Sequence, residues 1–330
     1  MDVVTYTGTG ASNSISSLGF SPDLVWIKNR GTTTDHALYD TVRGATIQLS
    51  SNTTGAEATS STGLTAFGSS GFTLGTSSLV NTSGTQYVAW AWDAGSTTST
   101  NNSGTITSTV SVNPTAGFSI VSYTGTGANA TVGHGLGVAP KMVIIKSRSQ
   151  GGSAAWSWVV WHSSFSGLEY AILNSTAAKA SASTIWNSTA PSSSLFNIGT
   201  DAVANSSTVT YIAYCFSEIE GYSKFGSYTG NGSSDGPFVW CGFRPRWVMI
   251  KRTDSTGGWT IIDSSRDTYN ISGSEIQANT SAAEATGQSS LDAISGGFKM
   301  RNTAIAENAS GGTYIFAAFA ESPFKYARAR

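Results

Sequence analysis

Phe20-Ser-Pro-Asp-Leu-Val-Trp-Ile-Lys-Asn-Arg30 has a proline near its start, an apolar middle and a lysine near its end. It returns as Gly137-Val-Ala-Pro-Lys-Met-Val-Ile-Ile-Lys-Ser-Arg148 and again as Phe243-Arg-Pro-Arg-Trp-Val-Met-Ile-Lys-Arg252. Side chains alternate along a strand, so Leu24, Trp26 and Lys28 point one way and Val25 and Ile27 the other. Both sets are apolar until the lysine, which predicts a strand covered on both faces. The proline cannot donate to a ladder and belongs at the strand start. Lys28, Lys146 and Lys251 read as points where the strand surfaces and the ammonium reaches water. The alternative is a ligand contact shared by the three copies.

Working outward, Tyr6-Thr-Gly-Thr-Gly10 is echoed by Tyr123-Thr-Gly-Thr-Gly127 and Tyr228-Thr-Gly-Asn-Gly232. The step from that tyrosine to the strand lysine is 22, 23 and 23 residues. From the lysine to a closing tyrosine (Tyr87, Tyr211, Tyr314) it is 59, 65 and 63. A second strand follows the lysine each time: Ala37–Asp40, Trp158–His162 and Trp259–Asp263. An aromatic strand closes each copy, as in Tyr87-Val-Ala-Trp-Ala-Trp92. Such a recurrence decides the architecture. Short strands separated by turn residues predict an all-β chain of three tandem β-sandwich-like repeat units with little helix. The units span 1–95, 104–222 and 223–330, with a polar linker at 96–103 that has nothing to bury. A hairpin around Asn113-Pro-Thr-Ala-Gly117 opens the second unit. Glu275–Asn279 is expected to make one helical turn.

Charged residues are only 11% of the 330, and the net charge is −1. That excludes an electrostatic footprint for nucleic acid or for an anionic membrane. The basic end, Lys325-Tyr-Ala-Arg-Ala-Arg330, is too short to supply one. No apolar stretch is long enough to span a bilayer, and no export signal opens the chain. The two cysteines, Cys215 and Cys241, read as buried small hydrophobes rather than a bridge. Asn-x-Ser/Thr triplets, as at Asn52, Asn81 and Asn205, follow from composition and imply no glycan.

No catalytic motif emerges. Asp40-Thr-Val-Arg43 and Asp263-Ser-Ser-Arg266 occupy matching places and read as turns closed by charge-assisted hydrogen bonds. The glycine runs at 8–10, 125–127 and 133–137 do not complete a phosphate loop and read as turns. His36, His134 and His162 lack metal-site spacing, so no metal and no cofactor are expected. The densest aromatic cluster is Trp156, Trp158, Trp161 and His162. Aromatic faces stack sugar rings, which makes these four the candidate ligand-binding residues. Trp156 is the one expected to be exposed. The competing reading is core.

These repeats, in particular Ile15–Arg30, Gly133–Lys146 and Tyr87–Trp92, resemble a repeated domain of unknown function. It is widespread in structural proteins of tailed phages, marine ones above all, and the resemblance covers nearly the whole chain. It implies a non-enzymatic virion protein on the particle exterior, a tail-fibre or receptor-binding component, assembled in the host cytoplasm. A head-surface decoration is the runner-up; a carbohydrate-binding module or a glycan-cleaving spike are further readings. Implied partners are other virion proteins, a host-surface glycan or protein, and copies of the chain itself as a homo-oligomer, first a trimer. The family carries no catalytic residues to transfer. Few charges suit a particle in salt water, and the absence of a disulfide framework suits a reducing cytoplasm.

Overall fold

The computed structural model describes residues 1–95 and 97–321. The proline-led stretches are strands, Leu24–Asn29, Met142–Ser147 and Pro245–Arg252, and the first two are buried at every position. Each lies inside an antiparallel sheet of the same order. In the first, Asp2–Thr7 pairs with Gln86–Trp92, which pairs with Leu24–Asn29, which pairs with Ala37–Asp40. In the second, the order is Phe118–Thr124, Thr210–Phe216, Met142–Ser147, Val159–His162. In the third, it is Ser223–Thr229, Thr313–Ala320, Pro245–Arg252, Trp259–Asp263. Register is shared as well: Leu24 faces Trp92, Met142 faces Phe216 and Trp247 faces Phe319.

Two sequence expectations fail here. The stretch read as a linker contains a strand, Thr98–Asn101, which pairs with Ser108–Asn113 at the edge of the second sheet. It has little to bury, but its backbone groups satisfy the outward N–H and C=O groups of Ser108–Asn113, and it becomes the short polar edge strand of the sheet. Glu275–Asn279 is not a helical turn: Ile276–Gln277 is a strand against Thr260–Ile261, with Ile276 buried. A two-residue strand carries no readable period, and a β-branched residue facing a core favours the sheet. Helix is otherwise confined to short single turns, Ser78–Asn81, Ser183–Trp186, Ala202–Asn205 and Ile305–Asn308 among them. The hairpin opening the second sheet forms as expected, with Ala116 N–H donating to Asn113 Oδ1 at 3.0 Å.

Every main sheet has two covered faces. The outer face carries a small sheet: Asn13–Ile15 with Gly71–Leu74 and Leu64–Gly68; Ala130–Gly133 with Leu195–Ile198; Phe238–Trp240 with Gly297–Met300 and Leu291–Ile294. Val25, Ile27, Phe72 and Leu74 pack between the layers of the first pair, and Val248, Ile250, Phe298 and Met300 between those of the third. These are sandwich-like layers. The inner faces meet one another. Leu24, Trp26 and Trp92 join Met142, Ile144 and Phe216, and Trp247, Met249 and Phe319, in one cluster. The residues in matching register form a triangle of rings. Trp92 and Phe216 lie 6.1 Å apart, Phe216 and Phe319 6.1 Å, and Phe319 and Trp92 6.0 Å. The three sheets therefore stand around an axis, each aromatic burying roughly 150–250 Å² of surface. A space of about 20 Å³ beside these rings is lined by apolar groups.

Candidate functional site

The lysines do not surface. Lys28, Lys146 and Lys251 are fully buried, each on the inner face of its strand. Lys28 Nζ donates to Asn29 O at 2.8 Å. Lys146 Nζ donates to Ser147 O at 3.0 Å and Thr54 O at 3.4 Å. Lys251 Nζ donates to Gly257 O at 2.7 Å and Thr176 O at 3.1 Å. Thr54 belongs to the first sheet's segment and Thr176 to the second's, so two of the lysines tie one segment to the one before it. Burial pulls each pKa down to about 8. The expectation of an exposed ammonium failed because the neighbouring segment, not water, covers the strand end.

The aromatic cluster proves to be core. Trp158, Trp161 and His162 are buried, and Trp156 is half-buried against the same core. Trp158 Nε1 donates to Ser50 O at 2.9 Å. Trp259 Nε1, at the matching place, donates to Ile172 O at 2.9 Å. His36 stands there in the first segment, and its Nε2 reaches Gln277 O at 3.1 Å while Nδ1 accepts from Trp26 Nε1 at 2.8 Å. A carbonyl can only accept, so this imidazole is the neutral Nε2–H form, and burial pulls its pKa down to about 3. Each ring thus reaches back to the preceding segment: second to first, third to second, first to third. The chain closes into a ring.

The Asp–Arg pairs take part in the same closure. Arg43 Nε meets Asp40 Oδ2 at 2.5 Å and Arg266 Nε meets Asp263 Oδ2 at 2.7 Å, with all four side chains out of solvent. Both arginine backbone N–H groups also donate to these carboxylates, so the turns are closed as expected. The free lone pairs of each carboxylate are used across the junctions. Tyr214 Oη donates to Asp40 Oδ2 at 2.8 Å, and Trp90 Nε1 donates to Asp263 Oδ2 at 2.9 Å. His162 takes the corresponding place in the second sheet, where its Nε2–H donates to Phe316 O at 3.2 Å. Its pKa falls to about 4 through burial.

Two devices escaped the sequence. At all three junctions a backbone N–H crosses: Glu57 to Arg148 O at 2.8 Å, Lys179 to Thr253 O at 3.0 Å, Glu284 to Arg30 O at 2.9 Å. Arg148 and Arg30 add forked ion pairs to Glu57 and Glu284. Thr253 replaces the arginine at the remaining junction, and Lys179 pairs with Glu169 instead. The arginines were visible two places after two of the strand lysines. Their partners, in Ser/Thr-rich stretches 91 and 254 residues away, were not.

The second device explains the tyrosines and a glycine. Tyr6 stacks on Tyr87 at 5.2 Å, Tyr123 on Tyr211 at 5.2 Å and Tyr228 on Tyr314 at 4.9 Å. Their hydroxyls seize the ends of the one-turn helices, as when Tyr6 Oη donates to Val80 O and Thr82 N–H donates to Tyr87 Oη. The three helices held in this way end on a buried asparagine, Asn81, Asn205 or Asn308. Asn205 Oδ1 accepts from Thr126 N–H at 2.8 Å, while its Nδ2 donates to Ala128 O and Gly199 O, both at 2.6 Å. A Cβ on Gly8, Gly125 or Gly230 would stand 2.1, 2.3 or 2.4 Å from a carbonyl oxygen after that asparagine, so the loop admits only glycine. Asn81 and Asn205 are thus structural.

Among the described residues no group of His, Cys, Asp and Glu could hold a metal ion, and no helix is long and apolar enough to cross a membrane. Cys215 and Cys241 are free and buried, and burial pushes both thiols up to about 12. An open groove of about 410 Å³ lies at one end, between Phe20, Asp93, Asn113, Ile219 and Tyr222. These charged and aromatic side chains thus link three sheets around an axis, and the fold is all-β.

Over residues 1–323 the chain matches the family described as Domain of unknown function (DUF7483), and it belongs to that family. No curated protein matches it.

Proposed function

We propose that the chain is a non-enzymatic structural protein of a phage particle's exterior, a tail-fibre or receptor-binding component built from three copies of one unit. The observation that carries this reading is the closed ring. Lysines, aspartates, histidines and arginines of matching position are spent on the junctions, which suits a body that must keep its shape. The matching strand order and ring triangle support the three-copy origin. The resemblance noted from the sequence supports the particle. Other virion proteins and a host-surface glycan or protein are the partners this role requires. A homotrimer would multiply weak surface contacts through avidity. Mass spectrometry of purified particles tests the reading: the chain present at stoichiometric copy number supports it, and its absence refutes it. Light scattering on the purified chain tests the trimer.

A further inference from the structure

The three small outer sheets correspond residue by residue. Val239 pairs with Phe298 as Ile15 pairs with Phe72 and Val132 with Phe196. The positions on either side of that residue are Ser14 and Ser16 in the first sheet and Thr131 and Gly133 in the second, where Asn101 covers the glycine. In the third they are Phe238 and Trp240. Both are exposed, Phe238 by 48% and Trp240 by 57%, with ring centroids 6.3 Å apart and planes at 73°. The same fold manages with small residues in two copies, so folding does not require these rings. Exposed aromatics of this kind mark an interaction site.

The seat of the indole is built. A Cβ on Gly296 would lie 2.6 Å from the Trp240 ring, so the ring rests against a bare glycine. Ser70 and Ser194 stand at that place in the other two sheets, where no tryptophan needs the room. Gly296 O accepts from Cys241 N–H and Gly242 N–H at 2.9 and 3.0 Å, which fixes the turn beside the ring. Ile294, also exposed, extends the apolar surface onto the third strand of this sheet, where it faces Gly297. The polar groups around it are two ion pairs, Lys299 with Asp235 at 2.5 Å and Arg301 with Asp292 at 3.4 Å.

We propose that this outer sheet is a carbohydrate-binding platform for a neutral pyranose, with Trp240 as the stacking face and Phe238 as its wall. Two cations and two anions give no net charge to draw a phosphate, a nucleic acid or an acidic peptide. A sugar supplies what the patch lacks: an apolar C–H face for the indole, and hydroxyls that donate to Asp235 and Asp292 and accept from Lys299 and Arg301. The edge strand Phe238–Trp240 is three residues long, too short to template an added peptide strand. The platform deepens the receptor-binding reading by naming a ligand class. It rests on its own geometry, so sugar binding by a chain absent from particles would keep it and refute the particle.

The test titrates neutral malto-, cello- and galacto-oligosaccharides into the purified full chain, read by calorimetry. At least one series should bind saturably. Trp240→Ser, which installs the first sheet's residue, should weaken that binding at least about tenfold while leaving the melting temperature within a few degrees. Gly296→Ala should weaken it too, by displacing the ring without removing it. No binding by any series, binding unchanged in both variants, or occupation of the patch by a peptide in place of sugar overturns the proposal.

Discussion

Tyr214 Oη donates to Asp40 Oδ2 at 2.8 Å across 174 positions of the chain. The carboxylate it reaches is already held by Arg43, so one buried acid closes its own turn and fastens the next sheet. Tyr214→Phe leaves that turn intact and should cost about 1–3 kcal/mol. Asp40→Asn leaves the buried guanidinium with only the more distant Glu57, at 3.9 Å, and should cost about 3–5 kcal/mol. Urea unfolding checks both. A phenylalanine variant as stable as the parent would mean that the junction bond contributes nothing.

The buried lysines predict an alkaline rise in stability. Each has a pKa near 8 in the fold against 10.5 in the unfolded chain. Between those values the unfolded chain binds more protons, so stability increases with pH. Above pH 10 the buried tyrosines oppose it, since burial pushes Tyr39 and Tyr211 up to about 12 and the folded chain then holds the extra protons. Lys251→Met should reduce the rise between pH 8 and 10. Thermal melts across that window give the measurement, and an unchanged slope would sink the assignment.

Glu307 predicts the opposite sign at lower pH. It occupies the place held by Val80 and Ala204 in the other segments, and burial pushes its pKa to about 7, with Glu275 adding to the rise. Its Oε1 accepts from Thr260 Oγ1 at 2.8 Å. The folded chain binds the extra proton between pH 4.5 and 7, so this contribution is complete below that window and lost as pH rises through it. Glu307→Gln should gain on the parent as pH rises across the window and level off above pH 7, which urea unfolding at a series of pH values reads. The neutral histidines titrate alike in both chains and drop out of the difference.

Asn205 is expected to tolerate no substitution. Alanine removes three hydrogen bonds and orphans buried backbone groups, at about 1–3 kcal/mol for each group left unpaired. Asn81→Ala and Asn308→Ala should behave alike, since their amides do the same work. Melting temperatures of the three variants would show it, and a neutral substitution at any one would break the equivalence.

The strands were legible because Leu24 to Ile27 is an unbroken apolar run entered from a proline, and the like order of the three main sheets was legible because Tyr6, Lys28 and Tyr87 have counterparts at near-constant intervals. The arrangement of those sheets around one axis was not. Whether Lys146 meets water or Trp158 meets a sugar depends on what covers them, and the cover comes from another segment: Thr54 over Lys146, Ser50 over Trp158. A periodic pattern says that a face is apolar without saying which neighbour it meets. The same limit hid Trp240, since its outward position and the glycine beneath it depend on the sheet it joins. The basic end, Lys325–Arg330, falls outside the described residues.

The ring itself is tested most directly by differential scanning calorimetry of the intact chain, alone and with Tyr214→Phe. If the sheets are locked around one axis, the chain melts in a single transition whose calorimetric and van't Hoff enthalpies agree. The variant, altered at one junction, should shift that whole transition downward. Separate transitions, or a variant that lowers only one of them, would show three independent sandwiches and contradict the closed ring.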